Sequence, residues 1–311
     1  MILTLAGGVG GARLAQGLYR HLHEKLTVVV NTGDDFEHMG FCISPDLDTV
    51  MYTLAGLNNR ETGWGLAGET WHFMAMTARL GGETWFQLGD SDLAIHAERR
   101  RRLAAGESLA VVTAALCECL GLACRVIPMS NDSVRTMVGT ASGELAFQDY
   151  FVRLRCEPVV RGLRFDGAES ATIAPEFAAA LEAADLSAIV IAPSNPFLSI
   201  APIRAVGDVE RRLREGRVPV VAVSPIVGGR AVKGPAAKIL RELGHEVSAL
   251  AVARQYQGLA DGFVLDHADA ELAPAVSALG MQVRVTDTIM RDADASAALA
   301  DSIMEFASTL G

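Results

Sequence analysis

The sequence predicts a doubly wound, Rossmann-like α/β fold: a mostly parallel sheet with a helical insertion and a small antiparallel flap. Three observations carry that prediction. Ile2–Ala6 is a short apolar run that breaks directly into Gly7-Gly-Val-Gly-Gly-Ala-Arg13. Short β-rich runs alternate with segments of helical period at both ends of the chain. Half of the 311 residues are apolar, enough for a core on both faces of a sheet.

Taken in order, Ile2–Ala6 and Thr27–Asn31 read as buried parallel strands, because each is a β-rich run bounded by turn residues. The helical spacing of residues 12–23 joins them into a βαβ opening. Helices are expected over 46–56, 69–80, 93–105 and 108–120, with no comparable buried strand among them. Strand-like runs return at 125–129, 136–140 and 145–152, and Gly139 to Gly143 marks a turn between the last two. The alternation resumes with strands at 188–192 and 219–223, helices at 202–215 and 235–243, and further strands at 249–253 and 262–265. We read residues 1–311 as one α/β domain, with a helical insertion over 57–124 and a β-flap over 125–170.

Composition narrows the function. A formal charge of −10 and a pI near 5.2 argue against a nucleic-acid partner, which selects a basic face. Small anionic ligands remain compatible, since a few local cations outweigh distant net charge within a Debye length. Glycine interrupts the first apolar stretch at Gly7, too early for a signal sequence or membrane span. The five cysteines, Cys42, Cys117, Cys119, Cys124 and Cys156, form no CxxC pair, so a reduced cytoplasmic setting is expected.

The chemistry concentrates where strands end. A strand that breaks into glycines and enters a helix presents bare N–H groups and a positive helix end to a phosphate. Arg13 adds a planar donor pair, although the loop lacks both the Gly-Lys-Ser/Thr of a Walker loop and the third small residue of GxGxxG. After the second strand come Asp34, Asp35, Glu37, Asp46 and Asp48, oxygen ligands of the kind Mg²⁺ selects. With Ser44 as cap and Pro45 as first helical residue, Asp46 serves equally as a helix-terminal charge. Asp48 precedes an apolar face and needs another reason to be acidic.

Other candidates have plainer alternatives. In Leu88-Gly-Asp90-Ser91-Asp92, followed by His96, Asp92 is readable as an N-cap and His96 as a structural histidine. Arg99–Arg102 reads most simply as the solvated face of a helix. Pro193-Ser194-Asn195-Pro196 follows a buried strand, where open α/β sheets bind ligands, but is also an ordinary Asx or Pro turn. Ser224–Lys238 carries Gly228, Gly229, Arg230, Lys233 and Lys238 and is a second loop able to enclose a diphosphate.

In combination these segments resemble the 2-phospho-L-lactate transferases that build the side chain of the deazaflavin coenzyme F-420. The resemblance runs from Gly7-Gly8 and Asn31-Thr32 through Ile43–Val50, Leu88-Gly-Asp90, Pro128-Met-Ser130, Phe147-Gln-Asp149 and Pro193–Pro196 to Val223-Ser-Pro-Ile226. It implies transfer of a phospholactyl, phosphoenolpyruvyl or 3-phosphoglyceryl group from a guanosine diphosphate carrier to the ribityl hydroxyl of the deazaflavin Fo, with Mg²⁺ required and GMP released. It further implies a cytoplasmic homodimer. Asp48, with Asp46, is expected at the metal and the accepting hydroxyl. Gly7, Gly8, Gly10, Gly11, Arg13, Asn31, Asp90, Ser91, Ser194, Asn195, Ser224, Gly228 and Lys233 are expected around the ligands. Ser91 stands where many members carry arginine. The competing reading is a non-catalytic nucleotide-sugar-binding regulator, which needs no deazaflavin pocket. A planar aromatic wall from Trp64, Trp71, Phe73 or Trp85 separates the two readings.

Overall fold

The structure is a computed structural model and describes residues 1–310. Its centre is a seven-stranded sheet, parallel throughout, whose strands we number in chain order: β1 Ile2–Ala6, β2 Leu26–Val30, β3 Arg125–Pro128, β4 Ala188–Ile191, β5 Val220–Val223, β6 Gly262–Asp266 and β7 Gln282–Thr286. They lie side by side as 3-2-1-4-5-6-7, with β1 paired to β2 on one edge and to β4 on the other. Strand order therefore reverses between β1 and β4. At such a switch point the connections leave in opposite directions and open a crevice beyond the carboxyl ends of the strands.

Both faces of the sheet are covered, so its central strands are apolar on both sides. Ile2 and Ala6 of β1 pack with α1 (Gly8–Leu22) and α2 (Pro45–Leu54), whereas Leu3 and Leu5 face the opposite layer. Residues 57–124 contain α3 (His72–Arg79), α4 (Asp90–Ala104) and α5 (Leu109–Cys119). The second layer includes α6 (Pro175–Leu181), α7 (Ala201–Ala205), α8 (Val209–Arg214), α9 (Ala236–Glu242), α10 (Ala249–Gln255) and α11 (Ala273–Ser277). The last helix, α12 (Ala293–Ser308), returns to the first layer and packs against α1 so closely that a Cβ on Gly17 would overlap the Ser296 carbonyl. A three-stranded antiparallel flap joins Gly143–Ala146, Arg135–Thr140 and Gly162–Asp166.

Several elements differ from the sequence expectation. Residues 249–253 form helix α10 and no strand: Ser248 caps it by accepting the Ala251 N–H, and the alanines favour helix. The sheet position beyond β6 belongs to β7, a half-buried edge strand that was not anticipated. The helix expected over 202–215 is two, α7 and α8, broken beside Gly207, whose φ of 52° leaves the helical region. Within 145–152 only the end of Gly143–Ala146 is strand; Asp149–Arg153 then winds into a π-helical turn.

Candidate active site

Beyond the carboxyl ends of the strands lies a cavity of about 510 Å³. Its walls come from the loops after β1 (Gly7–Gly10), β2 (Asp34), β4 (Pro193–Asn195), β5 (Ser224, Pro225) and β7 (Thr288, Met290). The first helical turns of α2 and α4 add Asp46, Asp48 and Asp92, with His96 just beyond. Its position is the one the strand-order reversal dictates.

The glycine wall is a packing solution. Gly8 has φ 60° and opens the turn, while a Cβ on Gly10 would overlap the Pro193 carbonyl oxygen and one on Gly11 the Ser194 hydroxyl. Ser194 Oγ accepts the Gly7 N–H at 3.1 Å and donates to the Gly7 carbonyl at 2.8 Å, tying the β1 and β4 loops together. Gly7, the N-cap of α1, offers no capping side chain, so the first-turn N–H groups of Val9 and Gly10 stand at the cavity wall without intrahelical partners. Gly8 N–H instead donates to Asp46 Oδ1 at 2.8 Å. Asp46 thus sits in the first turn of α2 but serves the N-terminus of α1. Asn31, fully buried, donates to Asp46 Oδ2 at 3.0 Å and accepts the Gly33 N–H at 2.8 Å.

Burial drives Asp34 well above the ordinary carboxylate range, and the nearby charge of Asp46 adds to the effect. Asp34 Oδ1 is buried with no hydrogen-bond partner among the described residues. Burial likewise lifts Asp46 to about 6, against the hydrogen bonds from Asn31 and Gly8, and lifts Asp35 to about 7. Two carboxylates that meet at a cavity with their charge unbalanced call for a proton or a cation.

Asp48 is balanced differently. Arg99, only 1% exposed, reaches from α4 to grip both Asp48 oxygens through Nη1 and Nη2. Nη1 also lies 3.2 Å from His96 Nδ1. The His96 Nε2 lies 3.4 Å from Asp92 Oδ1. Tyr52 donates its hydroxyl to the same Asp92 oxygen. Burial raises Asp92, but its contacts with His96 and Tyr52 outweigh that and hold it low. Ligand atoms of Asp48, Asp92 and His96 lie within 4.8 Å of one another, a group able to hold a metal ion. The reading of Arg99–Arg102 as a wholly solvated face is therefore corrected at Arg99; Arg100 and Arg101 do face solvent.

The remaining expected residues divide. Arg13 lines the cavity but donates to the Met290 carbonyl at 2.6 Å, bracing the loop after β7. Ser194, Asn195, Ser224 and Lys233 also line it. Gly11, Asn31, Asp90, Ser91 and Gly228 do not: Asp90 caps the start of α3 through the His72 and Phe73 N–H groups, and the Gly228 N–H is held by Asp269. Ser91 is exposed, its N–H bonded to Glu69. The same cavity is lined by Trp64, Trp85, Phe86, Phe147 and Phe151, the last two stacked with ring centroids 5.2 Å apart. Trp71 and Phe73 lie outside the lining.

The family model described as 2-phospho-L-lactate transferase CofD matches residues 2–300. This chain belongs to that family. Within the 2-phospho-L-lactate transferase family it is 44% identical to a phosphoenolpyruvate transferase of Streptomyces griseus subsp. griseus, over 98% of each chain. It is 38% identical to a 2-phospho-L-lactate transferase of Methanosarcina mazei, over 98% of this chain and 99% of that one. A crystal structure of a upf0052-family protein from Bacillus halodurans is similar in fold, with a TM-score of 0.62 at 12% identity over 97% of this chain and 98% of that one. In this family member, sequence reasoning missed Arg99, Tyr52, Phe86, Gln148, Phe147 and Phe151 as parts of the site. One signal was available: Asp92, His96 and Arg99 recur at i, i+4 and i+7, a polar stripe on one helix face.

Proposed function

We propose that this chain transfers the phospholactyl or phosphoenolpyruvyl group of a guanosine diphosphate carrier to the ribityl hydroxyl of Fo, releasing GMP, with Mg²⁺ in the same cavity. Enzymatic transfer of such a phospho-acid in coenzyme F-420 biosynthesis is the activity of its family. The supporting observation is the cavity itself, whose lining joins glycine backbone and hydroxyl groups to an aromatic wall of Trp64, Trp85, Phe86, Phe147 and Phe151, with four carboxylates. A nucleotide-sugar regulator has no need of that wall. No helix is long and apolar enough to cross a membrane. A cytoplasmic homodimer belongs to the same reading.

An alcohol must attack phosphorus that already carries negative oxygens, so the work is positioning and charge neutralisation. The first turn of α1, with Ser194 and Lys233, is suited to the diphosphate. Asp48 is suited to accept a hydrogen bond from the Fo hydroxyl, orienting it and taking up proton density. The donor set for a hard cation is best at Asp46 and Asp34, where the orphaned buried Oδ1 of Asp34 fits oxygen ligation, in a cavity that Asp48 also lines. Mg²⁺ bound there supplies charge neutralisation at the diphosphate.

The test is mass spectrometry of products after purified protein meets Fo, Mg²⁺ and each guanosine diphospho-acid. Competition among the donors gives the preferred acid, which we expect to be set by the loops carrying Ser194, Asn195 and Lys233, with Ser91 on the outer side of α4. No product with any donor would favour the regulator.

The cation reading has a signed consequence. Asp35 and Asp46 are raised to about 7 and about 6, and Asp34 is raised in the same direction, so the stability these carboxyls contribute is full below the ordinary 3.8, and that of Asp35 and Asp46 is lost as pH rises through about 6 to 7. A cation needs its ligands deprotonated. Mg²⁺ should therefore raise the melting temperature more at about pH 8 than at about pH 5, and Asp34→Asn should flatten the difference. Equal shifts at both pH values in wild type would rule out these carboxylates as ligands.

A further inference from the structure

We propose that Arg99 is a positioning residue of the transfer reaction, fixing the carboxylate of Asp48 toward the acceptor hydroxyl. The proposal rests on the transferase reading given above. Arg99 does not line the cavity, whereas Asp48 does, so Arg99 acts through Asp48.

Of the four consecutive arginines, Arg99 alone is buried. Its neighbours are satisfied at the surface: Arg101 pairs with Glu98 at 2.7 Å and Arg102 with Glu107. A buried ion pair is poor evidence for stability, since an apolar pair of similar volume often does as well. Its geometry is a better guide to its use. Nη1 and Nη2 each take one Asp48 oxygen, and two parallel contacts stop the carboxylate from rotating about its last bond. Nη1 is itself fixed by the Cys42 carbonyl at 3.3 Å and by His96 Nδ1 at 3.2 Å. Arg99 Nε has no partner, so the guanidinium is held by its fork end. The result is a carboxylate held in one orientation at the cavity wall.

Lysine cannot reproduce this grip, because its ammonium is a point donor with no fork. Misplacement of a reacting group by about 1 Å costs on the order of 10²-fold in rate. We therefore expect Arg99→Ala and Arg99→Lys to lower kcat by about 10²-fold while KM for donor and Fo stays within about twofold. Millimolar guanidinium chloride should restore at least part of the Arg99→Ala turnover, with sodium chloride at equal ionic strength restoring none. Arg100→Ala, at the surface, should behave as wild type. GDP titration by calorimetry and a thermal melt report whether each variant is native. Should Arg99→Ala fail to fold, Arg99→Lys, which keeps the charge, decides by its kcat. Normal kcat in either folded variant, or loss in Arg99→Ala without guanidinium rescue, overturns the role of Arg99. Absence of turnover in wild type overturns the transferase reading instead.

Discussion

Asp48→Asn retains the native fold and loses turnover by on the order of 10²–10⁴-fold, the range a positioned acid or base contributes. The amide occupies the same volume, and its oxygen still accepts from one Arg99 nitrogen. It offers neither the charge that balances the buried guanidinium nor a strong acceptor for the Fo hydroxyl. Leaving one member of a buried pair charged is costly, about 3–5 kcal/mol in comparable cases, so a lower melting temperature accompanies the loss. GDP titration therefore has to be run beside the kinetics. A variant that binds GDP normally and turns over normally would exclude Asp48 from the chemistry.

Gly10→Val separates the two ligands. The new Cβ lands on the Pro193 carbonyl oxygen, so the first turn of α1 must part from the loop after β4. Overpacking of this kind costs about 1–3 kcal/mol, and if the strain falls on the bound geometry it weakens GDP binding by up to about 10²-fold. Fo affinity should change little, since the aromatic wall comes from other segments. The positive φ of this loop lies at Gly8, with φ 60°, so the damage at Gly10 arises from close approach and not from backbone handedness. Equal losses for GDP and Fo in calorimetry would indicate general distortion and remove the case for a local phosphate wall.

What was legible in the sequence was local. The glycine loop, Asp46, Asp48 and the Pro193–Pro196 turn each follow an apolar strand, and a strand end is visible in a short window. The opening βαβ unit was legible for the same reason. Arg99 was not, because its neighbours share its identity and only contact with α2 decides which of the four turns inward. Asp46 was expected at the metal, with a charge for its own helix as the equal alternative; its bond to the N-terminus of another helix was in neither reading, because that contact exists only in the fold. Strand β7, Gln282–Thr286, alternates polar and apolar residues as an edge strand does, and that weakens the apolar signal a buried strand gives. Residues 249–253 show the converse error: a short apolar run does not distinguish strand from helix until its cap at Ser248 is weighed.

Placing β1 in the middle of the sheet has a consequence for biosynthesis. Its partner on one side, β2, leaves the ribosome almost at once, but the partner on the other, β4, begins only at Ala188. Ser194, which ties down Gly7, follows later still, and α12, which packs on α1, ends at Ser308. A nascent chain that has emerged only through α5 holds the glycine loop without the loop that shapes it. Pairings of such long range also slow folding, because loop closure must precede the contacts that reward it. The glycine loop is thus shaped only after Ser194 and α12 have been made, and a chain interrupted before β4 carries the glycine motif without the loop that fixes it.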